Sequence, residues 1–119
     1  NYLQNPMIQT AREIVQSGEI GELFNFRGVH AEDYMADAQA PYTNRLDAEQ
    51  GGGALNDIGS HIISLARFLV GPLCEVMGMQ STVFPERPEA TNSKQMKTVK
   101  VDDKTHFLAR FGFFPPKFC

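Results

Sequence analysis

The sequence contains few cysteines and no cluster of basic residues. Two cysteines, Cys74 and Cys119, occur among 119 residues, which is too few for the disulfide framework of a small secreted domain. This usage predicts a reducing, cytoplasmic location. The lysines and arginines are scattered, and the formal net charge is −3. Both features argue against a nucleic acid or an anionic membrane surface as a partner.

Long apolar runs are also missing. The longest, residues 62–70, is interrupted by Ser64 and Arg67 and is much shorter than the roughly 20 residues that a membrane-spanning helix needs. We therefore expect no membrane segment. There is no secretory signal and the first residue is Asn1 rather than Met, so we expect an internal fragment or a processed product. The length suits a single domain with a modest core.

Hydrophobic periodicity predicts two helices. The first follows a short opening strand, with Asn5 as its N-cap, Pro6 at its first position and Gly18 at its C-terminal end. Its predicted buried face consists of Met7, Ile8, Ala11, Ile14 and Val15. The second helix covers residues 51–71 and ends at Gly71-Pro72. Its predicted buried stripe consists of Leu55, Ile58, Ile62, Leu65 and Leu69.

The remaining segments predict strands and loops. Alternation of apolar and polar residues predicts strands over residues 23–33 and 74–84. Residues 34–50 lack periodicity and form a long loop, which in compact domains is usually functional or disordered. Residues 85–97 are expected to be an exposed connection. VKV and KTHFLARF, within residues 99–111, predict a closing hairpin that turns at two aspartates.

The segment GGGALNDIGSHII carries the most specific chemical pattern. Asp57 and His61 are four residues apart on the predicted second helix, so their side chains share a face. A carboxylate beside an imidazole can orient it and stabilise its protonated form, which makes a tuned general acid–base. A structural explanation is also available: Asp57 favours the positive end of the helix dipole, and His61 is then an ordinary surface residue.

Three glycines precede this pair. Gly51, Gly52 and Gly53 allow positive φ and the close approach of another group, although a flexible loop end would have the same composition. They do not form a phosphate cradle. A dinucleotide fingerprint needs G-x-G-x-x-G directly after a buried strand, and Asn56 stands where its third glycine belongs.

Three further residues are candidates for contact with a substrate. His30 and Asp33 end the predicted strand over residues 23–33, and a hydrogen-bonded core histidine would explain His30 equally well. Arg45, in the long loop, has the planar fork that binds hydroxyl-rich or carboxylate groups, unless it is simply solvated. His30 and Asp33 could also join the Asp57–His61 pair as ligands in a metal-dependent lyase or hydrolase. No triad with familiar zinc spacing is present, so we assign no metal.

These motifs resemble the glucose–fructose oxidoreductase/inositol dehydrogenase (Gfo/Idh/MocA) family. The resemblance is carried by the NP-initiated helix, by SGEIGEL leading into a strand that ends in His, and by GGGALNDIGSHII, in the family's own order. It covers residues 1 to about 85 and concerns the C-terminal domain only. It implies an α+β fold with an open, predominantly antiparallel (mixed) sheet and helices packed on one face. Residues 1–119 would then be the C-terminal substrate-binding and oligomerisation domain of a two-domain oxidoreductase.

The resemblance also implies roles for these residues. Asp57 and His61 fall on the family's catalytic pair, with His61 taking the hydroxyl proton and Asp57 orienting it. His30, Asp33 and Arg45 would face a sugar, cyclitol or other polyol. NAD or NADP would be bound by an N-terminal Rossmann domain, which this chain lacks together with the lysine of a Glu-Lys-Pro motif. The isolated chain should therefore be inactive, and the open sheet face would build a homodimer or homotetramer.

Two departures from the family pattern affect the expected substrate. Ser64 stands where many relatives have an acidic residue, and Asn44 replaces a common tryptophan. The sheet strands expected after Phe111 are missing, and the aromatic tail FGFFPPKFC indicates a truncation or a segment that needs a partner. A non-catalytic oligomerisation or ligand-binding module on the same scaffold is the alternative function.

Overall fold

Two units make up residues 2–112, the part of the chain that the computed structural model describes. Within that range, the first unit comprises residues 2–29, 61–77 and 107–112, and the second comprises residues 30–60 and 78–106. The predicted aromatic tail beyond residue 112 lies outside the described residues. No helix in residues 2–112 is long and apolar enough to cross a membrane.

Helix α1, Pro6–Ser17, begins and ends where its capping residues predict. The Asn5 side chain accepts a hydrogen bond from the Met7 amide at 2.9 Å, and proline follows at the first position. At the other end Gly18 adopts a φ of 76° and donates its amide to the Val15 carbonyl. These contacts confirm the cap predictions. Such predictions can be made from sequence because each cap depends only on neighbouring residues.

Two local predictions around α1 are wrong. The opening residues form a 3₁₀ turn, Tyr2–Gln4, instead of a strand. The Asn5 amide bonds to the Tyr2 carbonyl at 3.0 Å, and this local bond closes the turn. Met7 was expected on the buried face but is 72% exposed, whereas Ile8, Ala11, Ile14 and Val15 are half-buried. A four-residue stripe is enough for a helix on the edge of its unit.

The second helix starts with a π turn that periodicity did not predict. The π turn covers Leu55–Gly59 and runs directly into helix α2, Ser60–Leu69. The Ser60 amide bonds to the Leu55 carbonyl, five residues earlier, which defines the wider turn. Gly71 then has a φ of 139°, and the predicted end of the helix at Gly71-Pro72 is confirmed. A π turn inside a helix is often found at a functional site.

In the described range, residues 2–112, four strands form two two-stranded sheets. Strand β1, Leu73–Ser81, pairs with β4, Lys104–Phe111. Strand β2, Glu86–Pro88, pairs antiparallel with β3, Met96–Thr98. The strand predicted over residues 74–84 is confirmed over most of its length.

Three strand predictions need correction. Residues 23–33 are not a strand, and Phe24 and Val29 there are 89% and 82% exposed. Alternation makes a strand only where a neighbouring strand supplies hydrogen bonds, and the described sheets place none there. Residues 85–97 are not a mere connection, because they contain most of the β2–β3 hairpin. The predicted closing hairpin is also wrong, because β4 pairs with β1.

The pairing of β1 with β4 is antiparallel. The Asp103 amide bonds to the Ser81 carbonyl at 3.1 Å, and the Gly112 amide bonds to the Pro72 carbonyl at 2.9 Å. The end of one strand therefore meets the start of the other at both places. These sheets and the two helices confirm the α+β class with antiparallel pairing. Residues 34–50 are a loop as predicted, with short 3₁₀ turns at Asn44–Leu46 and Ala48–Gln50.

The second unit has a small core beneath the long loop. Leu46, Val99 and Val101 are buried together, and Met35 and Tyr42 pack against them half-buried. Since Leu46 follows Arg45 directly, burial of the leucine fixes the loop beside it. The core therefore fixes the position of Arg45, a candidate substrate-binding residue, within the second unit.

Candidate functional site

The glycine run lies against the backbone of Arg45. The Gly53 amide bonds to the Arg45 carbonyl at 2.8 Å, and the Gly52 amide bonds to the Asp47 carbonyl at 2.8 Å. A Cβ on Gly52 would be 2.7 Å from the Arg45 carbonyl carbon, a separation that real Cβ atoms do not show. The predicted close approach is therefore confirmed. It brings the long loop to the start of the helix that carries Asp57.

Asp102 holds the first residues of this helix. Its backbone carbonyl accepts the Ala54 amide at 2.8 Å, and its carboxylate accepts the Leu55 amide at 2.9 Å. Thr105 donates its hydroxyl to the same carboxylate oxygen at 2.5 Å. Gly53 adopts a φ of 111°, and a Cβ there would be 2.5 Å from the other Asp102 oxygen. Asp102 thus acts as an N-terminal cap supplied from a distant segment.

Asp57 receives two donors on one oxygen. Its Oδ2 atom accepts the Tyr34 hydroxyl at 2.9 Å and pairs with the Arg45 guanidinium. The Arg45 guanidinium carbon also lies 5.5 Å from the centre of the Tyr34 ring. Tyr34, Arg45 and Asp57 are called the Asp57 cluster below. The Asp57 side chain is 28% exposed and the Arg45 side chain 53% exposed, so a ligand in solution can reach both.

The Asp57 cluster keeps the Tyr34 phenol protonated. Partial burial raises the pKa of Tyr34 above its usual 10.0, and the hydrogen bond to Asp57 and the negative charge of Asp57 raise it further. Arg45 acts in the opposite direction and lowers the pKa of Tyr34. The hydrogen bond and charge of Asp57 raise the pKa of Arg45, which stays a cation. At neutral pH Arg45 is therefore a cation and the Tyr34 phenol is neutral.

His61 lies in the first turn of α2 and is exposed. It belongs to the first unit, whereas Asp57, four residues earlier, belongs to the second. The ring of Tyr2 meets the His61 imidazole edge-on, with the ring centres 5.0 Å apart and the planes at 78°. The His61 imidazole is therefore open to a ligand from solution.

The other predicted substrate residues lie within the second unit. His30 is half-buried, and its Nε2 atom lies 3.0 Å from the Glu32 carboxylate. Asp33 is exposed, and its backbone carbonyl accepts the Ala36 amide at 2.9 Å. Among the five predicted site residues, Arg45 and Asp57 are in direct contact. Within residues 2–112, no group of three His, Cys, Asp or Glu side chains is arranged to hold a metal ion.

Sequence reasoning missed two residues of this site. Tyr34 follows Asp33 directly, and an aromatic residue at the start of a polar loop was the available signal for it. Asp102 was interpreted as part of a turn, because nothing local shows that its carboxylate caps a helix 47 positions earlier. Both contacts join segments that are distant in sequence.

Comparison with known proteins gives a consistent set of relatives. Residues 8–112 match the model of the GFO/IDH/MocA C-terminal domain. The levoglucosan dehydrogenase of Pseudarthrobacter phenanthrenivorans is 34% identical over 124 residues, which cover 94% of this chain and 32% of that protein. The dTDP-3,4-didehydro-2,6-dideoxy-alpha-D-glucose 3-reductase of Saccharopolyspora spinosa is 41% identical over 81 residues, 67% of this chain and 23% of that protein.

A solved structure extends the similarity to three dimensions. Levoglucosan dehydrogenase in complex with NADH and levoglucosan matches with a TM-score of 0.81 and 35% identity, covering 92% of this chain and 29% of that one. The chain therefore spans a third or less of the length of these relatives.

Proposed function

Since the chain belongs to the GFO/IDH/MocA family, we propose that it is the substrate-binding part of an NAD(P)-dependent dehydrogenase. Family membership confirms the resemblance that GGGALNDIGSHII carries. The proposed substrate is a secondary alcohol of a sugar, cyclitol or related polyol. This class is supported by the similar dehydrogenase whose structure contains NADH and levoglucosan.

The observation that carries the proposal is the setting of Asp57. Arg45 and Tyr34 both donate to one of its oxygens, and His61 follows it by four residues along the same helical run. In the proposed reaction His61 accepts the proton of the substrate hydroxyl, and Asp57 stabilises the resulting imidazolium. Arg45, with His30 and Asp33, contacts the substrate hydroxyls. In carbonyl reduction His61 returns the proton.

The glycine run does not offer a phosphate cradle for a nicotinamide cofactor. It packs against the Arg45 backbone, so its amides are not arranged around a pyrophosphate, as the absence of G-x-G-x-x-G predicts. We assign NAD or NADP to a separate N-terminal Rossmann domain, where it supplies the hydride acceptor. This chain would then bind and orient the substrate and handle the proton.

The test uses the full-length protein with His61→Gln and Asp57→Asn. We expect kcat to fall roughly 10²- to 10⁴-fold for His61→Gln, the usual contribution of a general acid–base, with NADH binding unchanged. Arg67→Gln, an exposed change on the same helix, is the matched control and should stay near the parent rate. Normal turnover in both site variants would favour the non-catalytic module instead.

Two accompanying proposals follow from the same assignment. The 119-residue chain alone should show no NAD(P)-dependent turnover with any sugar that the full-length protein oxidises. Assembly as a homodimer or homotetramer through the open sheet face is supported by Val76 on β1 and Leu108 on β4, which are 60% and 77% exposed. Sedimentation of Val76→Lys and Leu108→Lys variants tests this assembly. The cytoplasmic location inferred from cysteine content stays a prediction.

A further inference from the structure

Arg87 is a buried cation whose partners among residues 2–112 are neutral groups. It lies in the middle of β2, opposite Lys97 on β3, and is 1% exposed. Within residues 2–112, no carboxylate lies at salt-bridge distance from its guanidinium, and its Nε atom has no hydrogen-bond partner. Burial of a charge without a counter-ion is costly. The position of Arg87 therefore calls for an explanation other than stability.

The contacts of Arg87 are main-chain carbonyls and one aromatic ring. Its Nη2 atom donates to the Met35 carbonyl at 2.7 Å, and its Nη1 atom donates to the Asp37 carbonyl. The guanidinium carbon lies 4.5 Å from the centre of the Phe84 ring, which supplies a cation–π contact. Both carbonyls belong to residues 35–37, the segment that follows Tyr34 directly. Two donors in a rigid fork fix the position and the orientation of that segment.

The same hairpin also holds the far end of the loop. The Tyr42 amide bonds to the Pro88 carbonyl at 2.7 Å, one residue beyond Arg87. The loop between Met35 and Tyr42 is therefore attached to β2 at both ends. Tyr34 precedes the first attachment and Arg45 follows the second. These are the two side chains that donate to Asp57.

We propose that Arg87 is a positioning residue for substrate oxidation, because it holds residues 35–37 so that the hydroxyl of the preceding Tyr34 meets Asp57. The expected effect of Arg87 on turnover rests on the proposed function. Its expected effect on the pKa of Tyr34 does not. Arg87 itself is buried and touches neither substrate nor cofactor.

The test combines Arg87→Lys and Tyr34→Phe in the full-length protein. Lysine keeps the charge but replaces the two-pronged donor with a single ammonium group. We expect kcat/KM to fall about ten- to hundredfold in Arg87→Lys, since small misplacements in a site have effects of this order. In the Tyr34→Phe background the same change should have a much smaller effect, because coupled residues are not additive. Lys97→Met, on the paired strand, is the control and should leave kcat/KM near the parent value.

The titration of Tyr34 distinguishes a positioning role of Arg87 from a role in stability alone. Alkaline titration of tyrosinate absorbance should show the Tyr34 transition at lower pH in Arg87→Lys, because the phenol loses its hydrogen bond to Asp57. An unchanged transition, or equal losses of kcat/KM in the parent and Tyr34→Phe backgrounds, would overturn the inference. If Arg87→Lys does not fold, Phe84→Leu removes the ring under the guanidinium and should shift the transition in the same direction. An unchanged Tyr34 transition in Phe84→Leu would also overturn the inference.

The two proposals fail in different ways. Should Asp57→Asn leave turnover intact while the Tyr34 transition still responds to Arg87→Lys, the dehydrogenase assignment falls and the positioning role of Arg87 holds. Should turnover depend on Asp57 but the Tyr34 transition ignore Arg87→Lys, the positioning role falls alone.

Discussion

Gly52 is in contact with the main chain of Arg45, so closely that no side chain fits between them. Its absent Cβ would lie 2.7 Å from the Arg45 carbonyl carbon and 2.8 Å from the Asp47 nitrogen. Both neighbours are backbone atoms, which cannot rotate away as a side chain can. The contact between the long loop and the Asp57 helix therefore depends on glycine at this position.

Gly52→Ala should separate Arg45 from Asp57. We expect a loss of about 1–3 kcal/mol in the free energy of unfolding, the usual effect of overpacking a tight contact, together with weaker substrate binding. Denaturant unfolding and KM of the full-length protein measure the two effects. Gly51→Ala is the matched control: Gly51 has a φ of 74° but no atom within 4 Å of its Cβ position. That variant should lose stability through backbone strain without a change in KM; an equal KM effect in both variants would contradict the explanation.

The Tyr34 transition should respond with opposite signs to its two charged neighbours. Asp57→Asn removes a hydrogen bond and a charge that raise the pKa of Tyr34, so the transition should move to lower pH. Arg45→Gln removes a cation that lowers this pKa, so the transition should move to higher pH. Tyrosinate absorbance during alkaline titration measures both, and Tyr34→Phe identifies the transition. Shifts of the same sign would show that the cluster does not form.

The raised pKa of Tyr34 also predicts how stability depends on pH. A group whose pKa is higher in the folded state binds its proton more tightly there. Its stabilising contribution is complete below the unfolded value of about 10 and is lost as pH rises through the folded value. Tyr34→Phe should therefore flatten the loss of stability in this alkaline window, as measured by thermal unfolding at a series of pH values. Tyr42→Phe is the comparison variant.

Removal of the Asp102 carboxylate should loosen the start of the Asp57 helix. Asp102→Ala leaves the Leu55 amide without its acceptor, and the loss of a capping side chain costs about 0.5–2 kcal/mol. Substrate affinity should fall with it, because the π turn carries Asp57. The neighbouring Asp103→Ala removes a carboxylate that accepts the Val83 and Phe84 amides, so it should lower stability without a change in substrate affinity. Denaturant unfolding and KM of the two full-length variants test this prediction.

The features that could be predicted from sequence depend on neighbours along the chain. Asn5, Pro6 and Gly18 set the limits of α1 because a cap satisfies amides and carbonyls within one turn. The glycine run was predicted to admit a close neighbour, and the family of the chain followed from motifs in their order. The identity of that neighbour, the Arg45 backbone, depended on the folding of a loop without periodicity.

The errors lie where the outcome depends on contacts between distant segments. Residues 23–33 alternate like a strand, but only a neighbouring strand can complete their hydrogen bonds. Strand β4 pairs with β1 and not with residues 99–101, and a local sequence pattern does not show which of two possible strands will pair. Residues 85–97 were expected to be an exposed connection, yet Arg87 within them is 1% exposed, and arginine is seldom buried.

The helix caps could be predicted from the sequence because they depend on local hydrogen bonds, and the α+β class and the family could be predicted from motifs that resemble the Gfo/Idh/MocA family. The acid–base role of Asp57 and His61 stays a prediction. Only the tertiary structure decided that Tyr34 and Arg45 meet on one oxygen of Asp57, that Asp102 caps the helix, and that Arg87 holds the loop. Those contacts join positions 12 to 52 residues apart, so they depend on the folding of the loop and the hairpin and not on any local pattern.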